Sequence, residues 1–405
     1  MFKDSKVKNA ILIGTLCSVS YLGVYFARNI LGAVTPQIIE EGASTTEIIG
    51  TLSSWYFACY AIGQLINGMI GDKVKARNMI SFGLILSGIC NFLLPYMLST
   101  PMNANIVYGM TGFFLAMIYA PMTKVVAENT EPIYATRCSL GFTFASFFGS
   151  PLAGFAAMLL AWQSVFYLSS VVLLIMGIMC FVCFLLMEKK GIVKYNQYKA
   201  PAKTANGIKL LIENRIIHFT LISIITGIVR TTVVFWMPTY FAQYLGYSTE
   251  QATTIYTIST FFLSLTTFYA VFLYERLNRN MDLTILVVFV SSTIFFLFTY
   301  FVKMPLLNII FLVLAILTST CAAAIMWSRY CPSLRDTGMV STATGFLDFV
   351  SYMAAAASST LFANAVTTIG WGNLILVWTS LVVFGVIISI PGLRHGRKKT
   401  CIEGL

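Results

Sequence analysis

An all-α integral membrane protein of twelve transmembrane helices, arranged as two six-helix bundles related by a pseudo-two-fold axis, is the fold class this sequence predicts. Three observations predict it. Apolar residues fill 58% of the 405 positions and charged residues only 10%, where a soluble domain carries about a quarter charged residues. So much apolar surface needs the bilayer as its solvent. Apolar runs near spanning length recur along the chain, and landmarks of the first half return in the second.

The first run begins at Ile11, after Lys3, Lys6 and Lys8. That start resembles the n-region of a signal peptide. The run continues past Gly32, however, with no small-residue cleavage site and no polar mature start, so it reads as the first spanning helix. The spacing predicts spans at 10–39, 46–71, 79–99, 103–128, 135–160 and 163–187 in the first half. The second half has 209–244, 250–274, 282–302, 305–328, 337–363 and 372–391. The chain thus divides into a first bundle (1–187), a basic linker (188–208), a second bundle (209–391) and a basic tail (392–405).

Basic residues orient these spans. The N-terminal lysines, Lys73, Lys75 and Arg77, Arg137, the lysines from 189 to 209, Arg215, Arg276, Arg279, Arg329, Arg335 and the cations from Arg394 to Lys399 all fall on one side. Only Lys303 lies in a loop on the other. The positive-inside rule therefore predicts a multi-pass protein of the cell (inner or plasma) membrane with both termini and the linker in the cytoplasm. The net charge of +11 is spread over short membrane-flanking loops, which points to lipid headgroups and away from nucleic acid. The linker reads as a flexible tether. Of the nine cysteines, Cys180 and Cys183 form a C-x-x-C on an apolar helix with no histidine or charge nearby, so packing is its reading and no metal or cofactor is expected.

The repeat has three landmarks. Arg28 precedes Pro36 by eight residues, as Arg230 precedes Pro238. Ser44-Thr45-Thr46-Glu47 and Ser248-Thr249-Glu250 each place a capping hydroxyl and an early glutamate at a helix start. Asp72-Lys73 and Glu275-Arg276 each end an even-numbered span on the basic side.

Gly68-Met-Ile-Gly-Asp72-Lys73-Val-Lys-Ala-Arg77 resembles the loop 2–3 signature of the major facilitator superfamily, G-x-x-x-D-[RK]-x-G-[RK]-[RK], with Lys75 and Ala76 as departures. The resemblance implies that fold and a cytoplasmic gate that forms and breaks during alternating access. Its members here are Gly68, Asp72, Lys73 and Arg77, with Glu275 and Arg276 in the second half.

An ionised side chain deep in a bilayer marks function. Arg28, Lys124, Arg230 and Asp348 lie deep in spans, the two arginines at equivalent positions of the two halves. Guanidinium forks suit phosphate, because they donate two parallel hydrogen bonds to two oxygens. Asp348 is the one deep carboxylate to set against three deep cations, which points to a transported anion as the balancing charge. With Lys124 lining the site, these groups sum to +2, close to neutralised by the charge of about −1.5 to −2 on a phosphate monoester. Tyr21, Tyr25 and Arg28 share one face of helix 1; Ser341, Thr344, Asp348 and Tyr352 form a polar stripe on helix 11. The tyrosines fit an oxyanion-binding face or plain packing. Asp348 could pair with Lys124, carry a proton, or orient an arginine.

Tyr25-Phe-Ala-Arg28-Asn29, Arg230 through Trp236-Met-Pro238-Thr-Tyr240, and Gly345-Phe-Leu-Asp-Phe-Val-Ser-Tyr352 resemble the organophosphate:phosphate antiporters, which include the glycerol-3-phosphate and hexose-phosphate transporters. The resemblance implies that Arg28 and Arg230 clamp the phosphate, that Tyr21, Tyr25 and Tyr352 line the site, and that Lys124 is the basic position after Pro121. In the glycerol-3-phosphate branch a lysine follows the helix 2 tyrosine by one turn; here Gln64 follows Tyr60, and helix 5 lacks that branch's histidine. The expected function is exchange of a phosphorylated small organic anion for inorganic phosphate by a monomer. The alternatives are a proton-coupled symporter of another organic anion using Asp348, or a transporter-like sensor of sugar phosphates. No His/Cys/Asp cluster suggests an enzyme.

Overall fold

The computed structural model describes residues 5–71, 74–195, 207–334 and 340–402, and these are helical almost throughout. The elements of the first half are α1 (Ser5–Glu40), α2 (Thr46–Gly71), α3 (Ala76–Met97), α4 (Pro101–Leu115), α5 (Tyr119–Asn129), α6 (Pro132–Leu159) and α7 (Trp162–Lys189). The second half has α8 (Gly207–Glu213), α9 (Ile216–Gly227), a π-helical segment (Ile228–Val233), α10 (Val234–Gln243), α11 (Thr249–Leu263), α12 (Thr266–Arg276) and α13 (Met281–Phe301). It closes with α14 (Pro305–Ile325), a second π-helical segment (Met326–Tyr330), α15 (Cys331–Ser333) and α16 (Val340–Ile402). Among the described residues, nine helices are long and apolar enough to cross a membrane. One of them, Ala343–Pro391, takes in two of the expected spans, which part at Gly370 where φ is 76° and ψ is 167°.

The chain divides into two compact units, residues 1–200 with 241–261, and residues 201–240 with 262–405. In the first, α1 crosses α6 at small residues. A Cβ on Gly141 would fall 2.5 Å from Ser18 Oγ, and one on Gly149 would fall 2.6 Å from the Tyr25 carbonyl carbon. Asn91 Nδ2 donates to Ser169 Oγ at 3.0 Å between α3 and α7. Asn67 Nδ2 donates to the Phe113 carbonyl at 3.2 Å between α2 and α4. In the second unit α9 lies on α16. Ser223 Oγ donates to the Leu347 carbonyl at 2.8 Å, and Thr232 Oγ1 meets Ser358 Oγ at 2.8 Å. A Cβ on Gly227 would fall 2.7 Å from the Ser351 carbonyl oxygen. The Tyr25–Gly149 and Gly227–Ser351 crossings hold equivalent places in the two halves, with the glycine on opposite partners.

Large apolar side chains such as Phe82, Phe155, Ile178, Phe268 and Phe301 are exposed on these helices, as lipid-facing surfaces require. Each repeat landmark at a helix start is a cap. Ile48 N–H donates to Thr45 Oγ1, and Ser248 forms a reciprocal capping box with Gln251. Gln251 thus takes the box position, rather than the glutamate beside it.

Three segments differ in detail from the simple division into spans, linker and tail. The span expected at 209–244 is not one helix. Arg215 takes a left-handed backbone (φ 65°), and its guanidinium holds Asp282 with two bonds of 2.9 and 3.0 Å, so α8 is set apart from α9. The linker is not free from its start. Gly191 (φ 69°) closes α7 with the Gly191 N–H on the Glu188 carbonyl and the Ile192 N–H on the Met187 carbonyl. Asn129 then grips the Lys194 backbone, donating to its carbonyl at 2.9 Å and accepting from its N–H at 2.7 Å. The tail expected from residue 392 continues the last helix to Ile402.

Candidate functional site

Arg28 is 8% exposed on α1, and three aromatic rings surround its guanidinium. Its carbon lies 5.2 Å from the Tyr25 centroid, 5.6 Å from that of Phe57 and 5.4 Å from that of Tyr60. Helical spacing explains the set. Tyr25 precedes Arg28 by three residues on α1, and Phe57 and Tyr60 stand three apart on α2. More tyrosines extend it on both sides. Tyr21 meets Tyr25 at 5.0 Å and Tyr119 of α5 at 5.4 Å. Tyr56 stacks on Tyr60 at 6.1 Å and tilts on Tyr108 of α4 at 4.8 Å. The structure brings Arg28, Tyr21, Tyr25 and Tyr60 into one aromatic cluster with Phe57, Tyr56, Tyr108 and Tyr119.

The other expected residues are placed as follows. Lys124 is half-buried on α5, five residues beyond Tyr119, and Gln64 is half-buried on α2 one turn after Tyr60. Arg230 is half-buried inside the π-helical segment Ile228–Val233. The β-branched run there crowds a regular helix, and Pro238 leaves the Val234 carbonyl without its usual helical donor. Bulges of this kind occur often at functional sites. Tyr352 is buried and Asp348 half-buried on α16. Burial pushes the Cys331 thiol up to about 11, the Thr344 hydroxyl opposes the rise, and Asp348 adds to it. Asp348 is thus within electrostatic reach of the α15 turn. The side chain of Ser341 lies outside the described residues.

Of the gate motif, Asp72 and Lys73 lie outside the described residues, as does the surrounding of Gly68. Lys75 and Arg77 share one carboxylate, Glu188 at the end of α7, at 2.6 and 2.7 Å. Tyr195 lies under Lys75 at 5.9 Å, and burial, reinforced by Glu188, pushes its phenol up to about 12. Glu188 carried no sequence signal, being one acid beside a lysine run. Replacing it with glutamine is expected to lower the stability of the purified protein by about 1 kcal/mol. Unchanged thermal unfolding would show that the clamp adds nothing. Glu275 and Arg276 are exposed at the end of α12. Among the described residues, no group of three or more His, Cys, Asp or Glu side chains could hold a metal ion.

The chain is similar in sequence and in fold to known membrane proteins. The glycerol-3-phosphate transporter of Bacillus subtilis (strain 168) is 24% identical over 257 residues, covering 58% of this chain and 58% of that protein. The membrane sensor protein UhpC of Salmonella typhimurium is 29% identical over 97 residues, 24% of this chain and 22% of that one. A probable hexose phosphate transport protein of Chlamydia trachomatis is 22% identical over 163 residues, 39% of this chain and 36% of that one. Each match spans less than two thirds of the relative's length. Among solved structures, a bacterial homolog to the human lysosomal transporter Spinster superposes with a TM-score of 0.74 at 12% identity, covering 96% of this chain and 98% of that one. The D-xylose-proton symporter gives 0.70 at 14% identity, covering 95% and 97%. At such identities the likeness is one of fold. The model of the Major Facilitator Superfamily matches residues 17–359, and the chain, a multi-pass membrane protein, belongs to that family.

Proposed function

We propose that this protein is a secondary active transporter that moves a phosphorylated small organic anion by alternating access, in exchange for inorganic phosphate. One observation carries the reading: a buried arginine, Arg28, held among aromatic rings inside a membrane-spanning helix. A guanidinium gives a phosphoryl group two parallel hydrogen bonds. Arg230, its counterpart in the second half, is the second phosphate ligand; Tyr21, Tyr25, Tyr60, Gln64, Lys124 and Tyr352 complete the site. Bound anion neutralises the cations, so the loaded protein changes conformation and the empty one does not, which makes exchange obligatory. The relatives named for glycerol-3-phosphate and hexose phosphate transport support the substrate class. Gln64 and the absence of a helix 5 histidine weigh against glycerol-3-phosphate itself.

The same reading makes the protein a monomeric carrier of the cell membrane with both termini in the cytoplasm, and not an enzyme. The gate is formed by Gly68, Asp72, Lys73, Arg77, Glu275 and Arg276. A second reading, a sensor of sugar phosphates, is favoured by the match to a protein named as a sensor. The test is uptake of labelled phosphate by liposomes containing the purified protein, preloaded with phosphate or left empty. Exchange predicts uptake only into loaded vesicles, competed by sugar or glycerol phosphates. Equal uptake into empty vesicles driven by a pH gradient would replace exchange with symport through Asp348. Specific binding with no transport would favour the sensor.

A further inference from the structure

We infer that Phe57, acting with Tyr25 and Tyr60, is a positioning residue that sets the plane of the Arg28 guanidinium and so makes Arg28 the pre-aligned arm of the anion site. The inference rests on reading Arg28 as a phosphate ligand. Phe57 is 4% exposed and Tyr60 2%, so both rings stay with the guanidinium away from water. Phe57 is braced in turn. Tyr56 meets it edge-on at 5.3 Å and 86°, and Tyr56 itself packs on Tyr60 and Tyr108.

Ring faces suit this task for a chemical reason. They attract the cation and offset part of the cost of burying it. A ring face offers the cation no hydrogen-bond acceptor, whereas a carboxylate would compete with an incoming phosphate for the N–H donors. A phenylalanine, having no hydroxyl, contributes a face and nothing else. At the spacing that relates Arg28 to Arg230, Tyr25 corresponds to Gly227. At the spacing that relates Thr46-Glu47 to Thr249-Glu250, Phe57 and Tyr60 correspond to Thr260 and Leu263. None of the three is aromatic, and Arg230 sits in a π-helical turn.

The test compares Phe57→Leu, Phe57→Met and Phe57→Tyr with the parent in phosphate-loaded liposomes, at matched amounts of monodisperse protein. The leucine and methionine variants are expected to raise the half-saturating external phosphate about tenfold, with maximal exchange within about twofold of the parent. Phe57→Tyr, which restores a face, is expected to return half-saturation to within about twofold of the parent. Parent-like half-saturation in the leucine or methionine variant overturns the positioning role while leaving the anion site in place. So does a loss confined to maximal rate, or a folded tyrosine variant that does not rescue. If leucine does not accumulate, methionine carries the comparison. A parent that exchanges no phosphate overturns the proposed function, and this inference with it.

Discussion

Phosphate exchange at subsaturating phosphate is expected to fall about a hundredfold when Arg28 is replaced by lysine, and by a similar factor for Arg230→Lys. Lysine keeps the charge but offers a point rather than a planar fork. At position 28 it also loses the match between a flat cation and the faces of Tyr25, Phe57 and Tyr60. The measurement is initial uptake into phosphate-loaded liposomes, with each variant checked for normal accumulation and a single gel-filtration peak. Uptake within about threefold of the parent for either folded variant would remove that arginine from the site.

The second large effect concerns packing. Gly149→Leu is expected to prevent accumulation of folded protein or to lower its thermal midpoint by about 5 °C or more. The new side chain would start 2.6 and 2.8 Å from the carbonyl carbon and oxygen of Tyr25. These are backbone atoms, so no rotamer change can relieve the clash, and α1 must shift with Tyr21, Tyr25 and Arg28. Gly227→Leu should behave alike, since its Cβ would meet the Ser351 backbone. Gly345→Ala is the control, because nothing lies within 4 Å of an added Cβ there. An unchanged midpoint in Gly149→Leu would mean that the α1–α6 crossing is looser than the structure has it.

The spanning helices were legible because a bilayer forces the same solution on every crossing, an apolar run with its own hydrogen bonds satisfied. Arg28 and Arg230 were legible because a deep arginine is costly and rare. What stayed hidden depended on contacts that leave no local trace. Phe57 is one apolar residue on an apolar helix, and only its distance from Arg28 gives it a role. The partnership of Asn129 with Lys194 joins residues 65 apart through backbone atoms that every sequence contains. Glu188 gains its place from two cations more than 100 positions away. The π-helical turn at Arg230 had a weak signal, a β-branched run before a proline, but Pro36 stands at the same spacing after Arg28 in a helix that stays regular. The composition between arginine and proline, not the spacing, separates the two.

The grip of Asn129 on the Lys194 backbone changes where tension enters the first half. A pull along the connecting chain is delivered at Asn129 and, through Tyr195, beside Lys75, before it reaches the end of α7. Asn129 is the last residue of α5, an 11-residue helix that also carries Lys124 and the Tyr119 ring resting on Tyr21. Strain in the connection therefore has a short route, about three helical turns, to the Tyr119 ring that rests on Tyr21.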